Sequence, residues 1–146
     1  MLENYLSTSC LRYIESTQNW EEAIRIGSSQ LIVEEKISEK YVDQMIENIK
    51  KLGPYIVIAP SIALAHSRPS EYVYQDCISI TVFDKPVVFN NIENDPVRLL
   101  FVFAAKENNN HINLIKEISY LLDNSNVLSR LLSAKGTDEI KSLLNL

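Results

Sequence analysis

The chain holds two histidines, His66 and His111. A neutral imidazole is a good nucleophile near pH 7, because its unperturbed pKa is about 6.5. A hydrogen bond from its second ring nitrogen to a backbone carbonyl would fix the tautomer and aim the reactive nitrogen outward. Each histidine sits just after a predicted strand, His66 in a loop and His111 near a helix start, and open α/β folds place ligands at such carboxyl ends. A surface or hydrogen-bonded structural histidine would look the same in isolation. Arg68, two residues after His66, offers a guanidinium for an anion, or a surface ion pair or solvated charge. No Walker motif or Gly-rich loop is present, so no bound nucleotide is expected. No carboxylate cluster calls for a metal, and the expected cofactor set is none.

The elements that must position these residues follow from periodicity. Asn19 with Glu22 three positions on is a capping-box-like start. Trp20, Ala23, Ile24, Gly27 and Leu31 then form one helical stripe. Ser38 caps a second helix with Val42, Met45, Ile46 and Ile49 on its apolar face, ended by Gly53-Pro54. The period then changes. Tyr55 to Ala59 reads as a strand closed by Pro60, and Cys77 to Phe83 alternates Ile78, Ile80 and Val82 against Ser79 and Thr81. Val87-Val88-Phe89 is a shorter candidate after the Lys85-Pro86 break. Arg98 to Ala105 is apolar on both faces and is the best central strand. Asn108-Asn109-Asn110 starts a helix carrying Ile112, Ile115, Ile118 and Leu122. Val127, Leu128, Leu131 and Leu132 continue the pattern, and Thr137 caps a last short helix. The expected fold class is α/β: one domain over residues 1–146, a small mixed sheet with helices on both faces.

Composition narrows the class. Fourteen Lys and Arg against nineteen Asp and Glu leave a net charge of −5, and 46% of the 146 residues are hydrophobic. That describes a globular domain able to bury a core, and its acidity argues against a nucleic-acid partner. No apolar run approaches the ~20 residues of a membrane span, so no membrane insertion is expected. The N-terminus shows no signal-peptide pattern, and Cys10 and Cys77 form no CxxC or zinc spacing. A cytoplasmic location is expected.

The segment Gly53-Pro54-Tyr55-Ile56-Val57-Ile58-Ala59-Pro60-Ser61-Ile62-Ala63-Leu64-Ala65-His66-Ser67-Arg68-Pro69 resembles the active-site stretch of the type 2 IIA proteins of the bacterial sugar phosphotransferase system. That is the mannitol/fructose/ascorbate group, whose pattern runs close to A-P-G-I-A-L-P-H-A-R-P. Trp20 to Ile24 looks like the family's early part, Asn94-Asp95-Pro96-Val97 like its later part, and His111 like its second active-site histidine. The G-P-Y-x-V-I-A-P run and the W-x-x-A start sit closest to the ascorbate branch.

The resemblance implies a phosphotransferase component. His66 would accept a phosphoryl group from HPr and pass it to a cysteine of a IIB partner, with a membrane IIC permease downstream. His111 would help hold the phosphoryl group, with Arg68 a candidate to balance its charge. A histidine near a helix N-terminus tends to stay neutral and can donate to a phosphoryl oxygen. A regulatory relative, phosphorylated on the same histidine but acting by binding other proteins, is the alternative. A third reading is a degenerate domain that no longer accepts phosphate.

Three departures stand out. Ser61 replaces the motif's glycine, and Ala65 replaces the proline before the histidine. The mannitol branch also carries an arginine on the preceding helix, where this chain reads Met45-Ile46-Glu47-Asn48-Ile49-Lys50-Lys51. Pro60 and Pro69 bracket the loop and restrain it, although Pro60 serves equally as a strand terminator. Ile62, Ala63 and Leu64 are either a docking patch or core.

Overall fold

A computed structural model describes residues 2–146. Its centre is a five-stranded mixed sheet in the order β1-β4-β5-β3-β2. The strands are β1 (Leu11–Ile14), β2 (Val57–Ala59), β3 (Ile62–Ala65), β4 (Cys77–Val87) and β5 (Val97–Ala104). Two helices, α1 (Trp20–Val33) and α2 (Glu39–Leu52), cover one face; α3 (Asn108–Asp123), α4 (Ser125–Leu132) and α5 (Thr137–Leu143) cover the other. The α/β class with helices on both faces is therefore the architecture observed.

β5 explains why both faces are covered. Leu100, Val102 and Ala104 enter the core under α1 and α2, while Leu99, Phe101 and Phe103 enter the one under α3 to α5. A strand apolar on both faces belongs in the middle of a two-sided sheet. Ser79 and Thr81 of β4 are buried as well, pressed against α1 where Gly27 lets the helix approach. The Ser79 hydroxyl donates to the Gly27 carbonyl at 2.6 Å. A Cβ on Gly27 would sit 3.0 Å from Leu100 Cδ2.

The caps on α1 and α2 match the sequence reading. Asn19 Oδ1 accepts from the Glu22 N–H at 2.9 Å, while Glu22 Oε2 accepts from the Gln18 N–H at 3.0 Å. Ser38 Oγ accepts from the Lys40 N–H at 3.1 Å. Gly53 ends α2 with φ 87° and ψ −178°, a conformation that glycine alone takes without strain.

Other elements differ from expectation. The strand expected at 55–59 is only β2, Val57–Ala59, and it runs antiparallel to an unforeseen β3. β1 was also unforeseen, and β4 runs through Lys85-Pro86 to Val87, so Val87-Val88-Phe89 is no separate strand. On α3 the buried residues are Leu114 and Ile118; Ile112 and Ile115 face outward. Asn124 separates α4 from α3 by accepting from the Val127 N–H at 3.1 Å. Gly136 is the N-cap residue of α5, and the Thr137 hydroxyl instead accepts from the Tyr13 N–H at 3.1 Å. Ile62 and Ala63 are core residues, and Leu64 packs against the core, which removes them as a docking patch.

Candidate functional site

The register of the sheet brings the two histidines together. β3 runs parallel to β5 with Leu64 opposite Phe101 and Ala65 opposite Val102. His66 leaves the end of β3, and its ring stacks on Phe103 with centroids 4.9 Å apart and planes 19° from parallel. β5 ends at Ala104 and α3 begins at Asn108, so His111 returns in the first turns of the helix, over the same end of the sheet. The His66 and His111 ring centroids are 5.6 Å apart, and both rings rest on Phe103. Tyr55 meets His66 edge-on at 6.2 Å.

The hairpin carrying His66 is tied down from its far end. Ser61 occupies the left-handed region at φ 67° between β2 and β3, the conformation for which a motif glycine is suited. Its N–H donates to the Asn94 carbonyl at 2.9 Å, and its own carbonyl accepts from Arg98 and Leu99 N–H groups at 2.9 and 3.0 Å. Asn94 and Asn91 also donate side-chain N–H groups to the Val57 carbonyl. Asp95 holds that loop by accepting from the Phe89 and Asn91 N–H groups at 2.9 and 3.0 Å. Serine is thus kept in a glycine conformation by its backbone partners.

The electrostatics suit a neutral nucleophile. His66 Nδ1 lies 2.8 Å from the Leu64 carbonyl. A carbonyl only accepts, so Nδ1 carries the proton and Nε2 keeps its lone pair. Burial lowers the His66 pKa below its ordinary value, with the Leu64 bond opposing. Burial also lowers that of His111, and the neighbouring His66 adds to the effect. His111 Nδ1 is buried with no hydrogen-bond partner among the described residues. A buried ring nitrogen without a partner costs free energy as donor or as acceptor, which leaves Nε2 as the ring nitrogen available for a hydrogen bond.

Both rings line an open cleft of about 920 Å³, together with Asn48, Tyr55, Ser67, Arg68 and Asn108. Arg68 is exposed and has no hydrogen-bond or ion-pair partner among the described residues, so its guanidinium is free to meet an anion. Asn108 opens α3, whose N-cap residue Glu107 makes no side-chain cap bond. First-turn N–H groups there lack helical partners. Asn48 Nδ2 donates to Ser67 Oγ at 3.2 Å. All three residues singled out in the sequence thus meet at one cleft. Tyr55, Asn48 and Phe103 were missed as site residues; their roles come from cross-sheet register and helix packing, which short motifs do not display.

The family described as "Phosphoenolpyruvate-dependent sugar phosphotransferase system, EIIA 2" matches residues 4–146. The chain belongs to the type 2 IIA family. It is 31% identical over 136 residues to the ascorbate-specific phosphotransferase system EIIA component of Escherichia coli strain K12, covering 92% of this chain and 88% of that relative. The mannitol-specific cryptic phosphotransferase enzyme IIA of Escherichia coli has a similar structure, with TM-score 0.90, 29% identity and coverage of 98% and 97%. The Escherichia coli mannitol IIA solved in complex with phosphorylated IIB is also similar, with TM-score 0.76, 27% identity and coverage of 91% and 93%. This chain is accordingly a phosphoryl-carrier-family IIA component with the family's fold.

No helix among the described residues is long and apolar enough to cross a membrane. Nor is any group of three or more His, Cys, Asp or Glu among them placed to hold a metal.

Proposed function

We propose that this chain carries phosphoryl groups on His66 in a sugar phosphotransferase system, taking them from phospho-HPr and delivering them to a cysteine of a IIB partner. The observation that carries the reading is the Nδ1–H···O=C bond to Leu64 at 2.8 Å, which leaves Nε2 as the free nucleophile of a neutral ring. In the first transfer the Nε2 lone pair forms the N–P bond while phosphorus separates from the donor's histidine nitrogen. The His66 ring becomes cationic, and the Leu64 carbonyl stabilises the N–H that now shares that charge. In the second, a IIB thiolate attacks phosphorus and the electron pair of the breaking N–P bond returns to Nε2.

His111 Nε2–H donates to a phosphoryl oxygen, and Arg68 supplies a guanidinium. The transferred group needs positioning and charge stabilisation more than further covalent chemistry. A membrane IIC permease would lie downstream of that IIB partner, and an ascorbate-like sugar is favoured by the likeness to the ascorbate-specific relative. A cytoplasmic location fits a partner set of HPr and IIB.

Intact mass after incubation with phosphoenolpyruvate, enzyme I and HPr tests the reading. One acid-labile phosphoryl group is expected on the wild type and none on His66→Ala. His111→Ala is expected to keep the site and lose about 100-fold in rate, the usual cost of one oxyanion donor. Phosphorylation of His66→Ala would overturn the assignment. Discharge by an ascorbate-type IIB in preference to a mannitol-type IIB tests the proposed branch.

A further inference from the structure

We propose that Tyr41 is a positioning residue for phosphoryl transfer, its one buried hydroxyl locking the chain on two sides of the His66 ring. The proposal rests on the reading of His66 as acceptor. Tyr41 lies on α2 with no exposed surface. Its hydroxyl accepts from the Ser67 N–H at 2.9 Å and donates to the Phe103 carbonyl at 2.8 Å, with the Ser67 carbonyl 3.2 Å away. A phenol has one proton, and the shorter contact to Phe103 takes it. Burial raises the phenol's pKa well above its ordinary value, so the group stays a donor and an acceptor at once.

Both partners belong to the His66 ring. Ser67 is the next residue along the chain, and Phe103 is the ring on which the imidazole is stacked. Tyr41 therefore fixes where the chain leaves the histidine and where the stacking platform sits, while the Leu64 carbonyl fixes the ring's rotation. Asn48, about two helical turns further along α2, holds the Ser67 side chain as well.

A phenylalanine would fill the same apolar volume without a polar group to desolvate. The hydroxyl is tolerated because it is paired on both sides. Without it, the Ser67 N–H loses its hydrogen-bond acceptor among the described residues and the loop gains freedom to turn toward the cleft. Small misplacements of a reacting atom are costly in transfer reactions.

The test is Tyr41→Phe, read in two ways. Imidazole ¹⁵N spectra of the unphosphorylated protein are expected to show His66 as one Nδ1-protonated tautomer in the wild type and a mixture in the variant. Single-turnover transfer from phospho-HPr is expected to keep its half-saturating donor concentration and to lose about tenfold or more in maximal rate.

A folded Tyr41→Phe protein with the wild-type tautomer and maximal rate overturns the proposal. Should that variant fail to fold, Asn48→Ala takes its place. The same two readouts are then expected to move in the same direction by a smaller factor, and no movement overturns the clamp. A wild type that accepts no phosphoryl group defeats the acceptor reading instead, and the tautomer spectrum still decides the role of Tyr41.

Discussion

His66 and His111 are both biased toward the neutral form. Burial is the main cause for each, and it lowers both pKa values from the ordinary 6.5. The acid limb of the transfer rate is therefore expected below pH 6.5, because neutral imidazole persists there when a free histidine has begun to protonate. A rate profile falling at or above pH 6.5 would contradict this. The same shift has a stability consequence. As pH falls from 6.5 towards the lower folded values, the unfolded chain binds protons that the folded chain refuses, so stability falls with pH. Thermal melts across that window should show it, and His66→Ala should flatten the slope. At this scale the site was legible where residue types are rare: two histidines, and an arginine two positions from one of them. Tyr41 was not, because a tyrosine on an apolar helix face reads as core and only the fold shows what its hydroxyl reaches.

Two packing features outside the cleft each yield a prediction. The β2–β3 hairpin holds Ser61 at φ 67°, a region that costs an L-residue about 1–2 kcal/mol. Ser61→Gly relieves that strain but enlarges the unfolded ensemble, for an expected net gain of about 0.5–1 kcal/mol. For a chain of this size that is a rise of roughly 2–3 °C in Tm. A fall in Tm would show that Ser61 is unstrained. The contact between α1 and the sheet is the opposite case. Gly27→Val would drive a side chain into Leu100 and Val102, whose methyls lie 3.0 and 3.3 Å from even a Cβ. A loss of about 2 kcal/mol or more is expected by denaturant titration. The helix caps at Asn19 and Ser38 were legible because capping is local chemistry. β3 was not: Ile62-Ala63-Leu64-Ala65 is four apolar residues without alternation, so nothing in the run separates a central strand from a loop insertion. The face of α3 was misread for a related reason. Isoleucines at 112 and 115 suggest a buried stripe, yet both face outward and are exposed.

That outward placement matters for the whole molecule. Leu52 at 73% and Tyr55 at 43% exposure line the cleft, and Ile112, next to His111 on α3, is 61% exposed, an apolar setting for the groups proposed to exchange phosphate. A carrier that serves two partners in turn needs a contact of modest area, held by a few apolar residues and released quickly. The net charge of −5 acts at longer range, and under the proposed function it would steer encounter with a basic donor surface. The two contributions separate experimentally. Raising ionic strength is expected to lower the second-order rate of phosphorylation by phospho-HPr and leave the maximal rate in place, since screening weakens approach and spares docked geometry. Ile112→Gln changes no charge, so it is expected to raise the half-saturating donor concentration severalfold with its salt dependence intact. An exposed side chain contributes little to folding, and Tm should correspond to a change within about 0.5 kcal/mol. If Ile112→Gln leaves the donor dependence unchanged while salt still slows transfer, charge alone guides recognition and the apolar rim is incidental. If salt has no effect while Ile112→Gln weakens the donor interaction, the contact is apolar and the acidity of this chain plays no part in finding its partner.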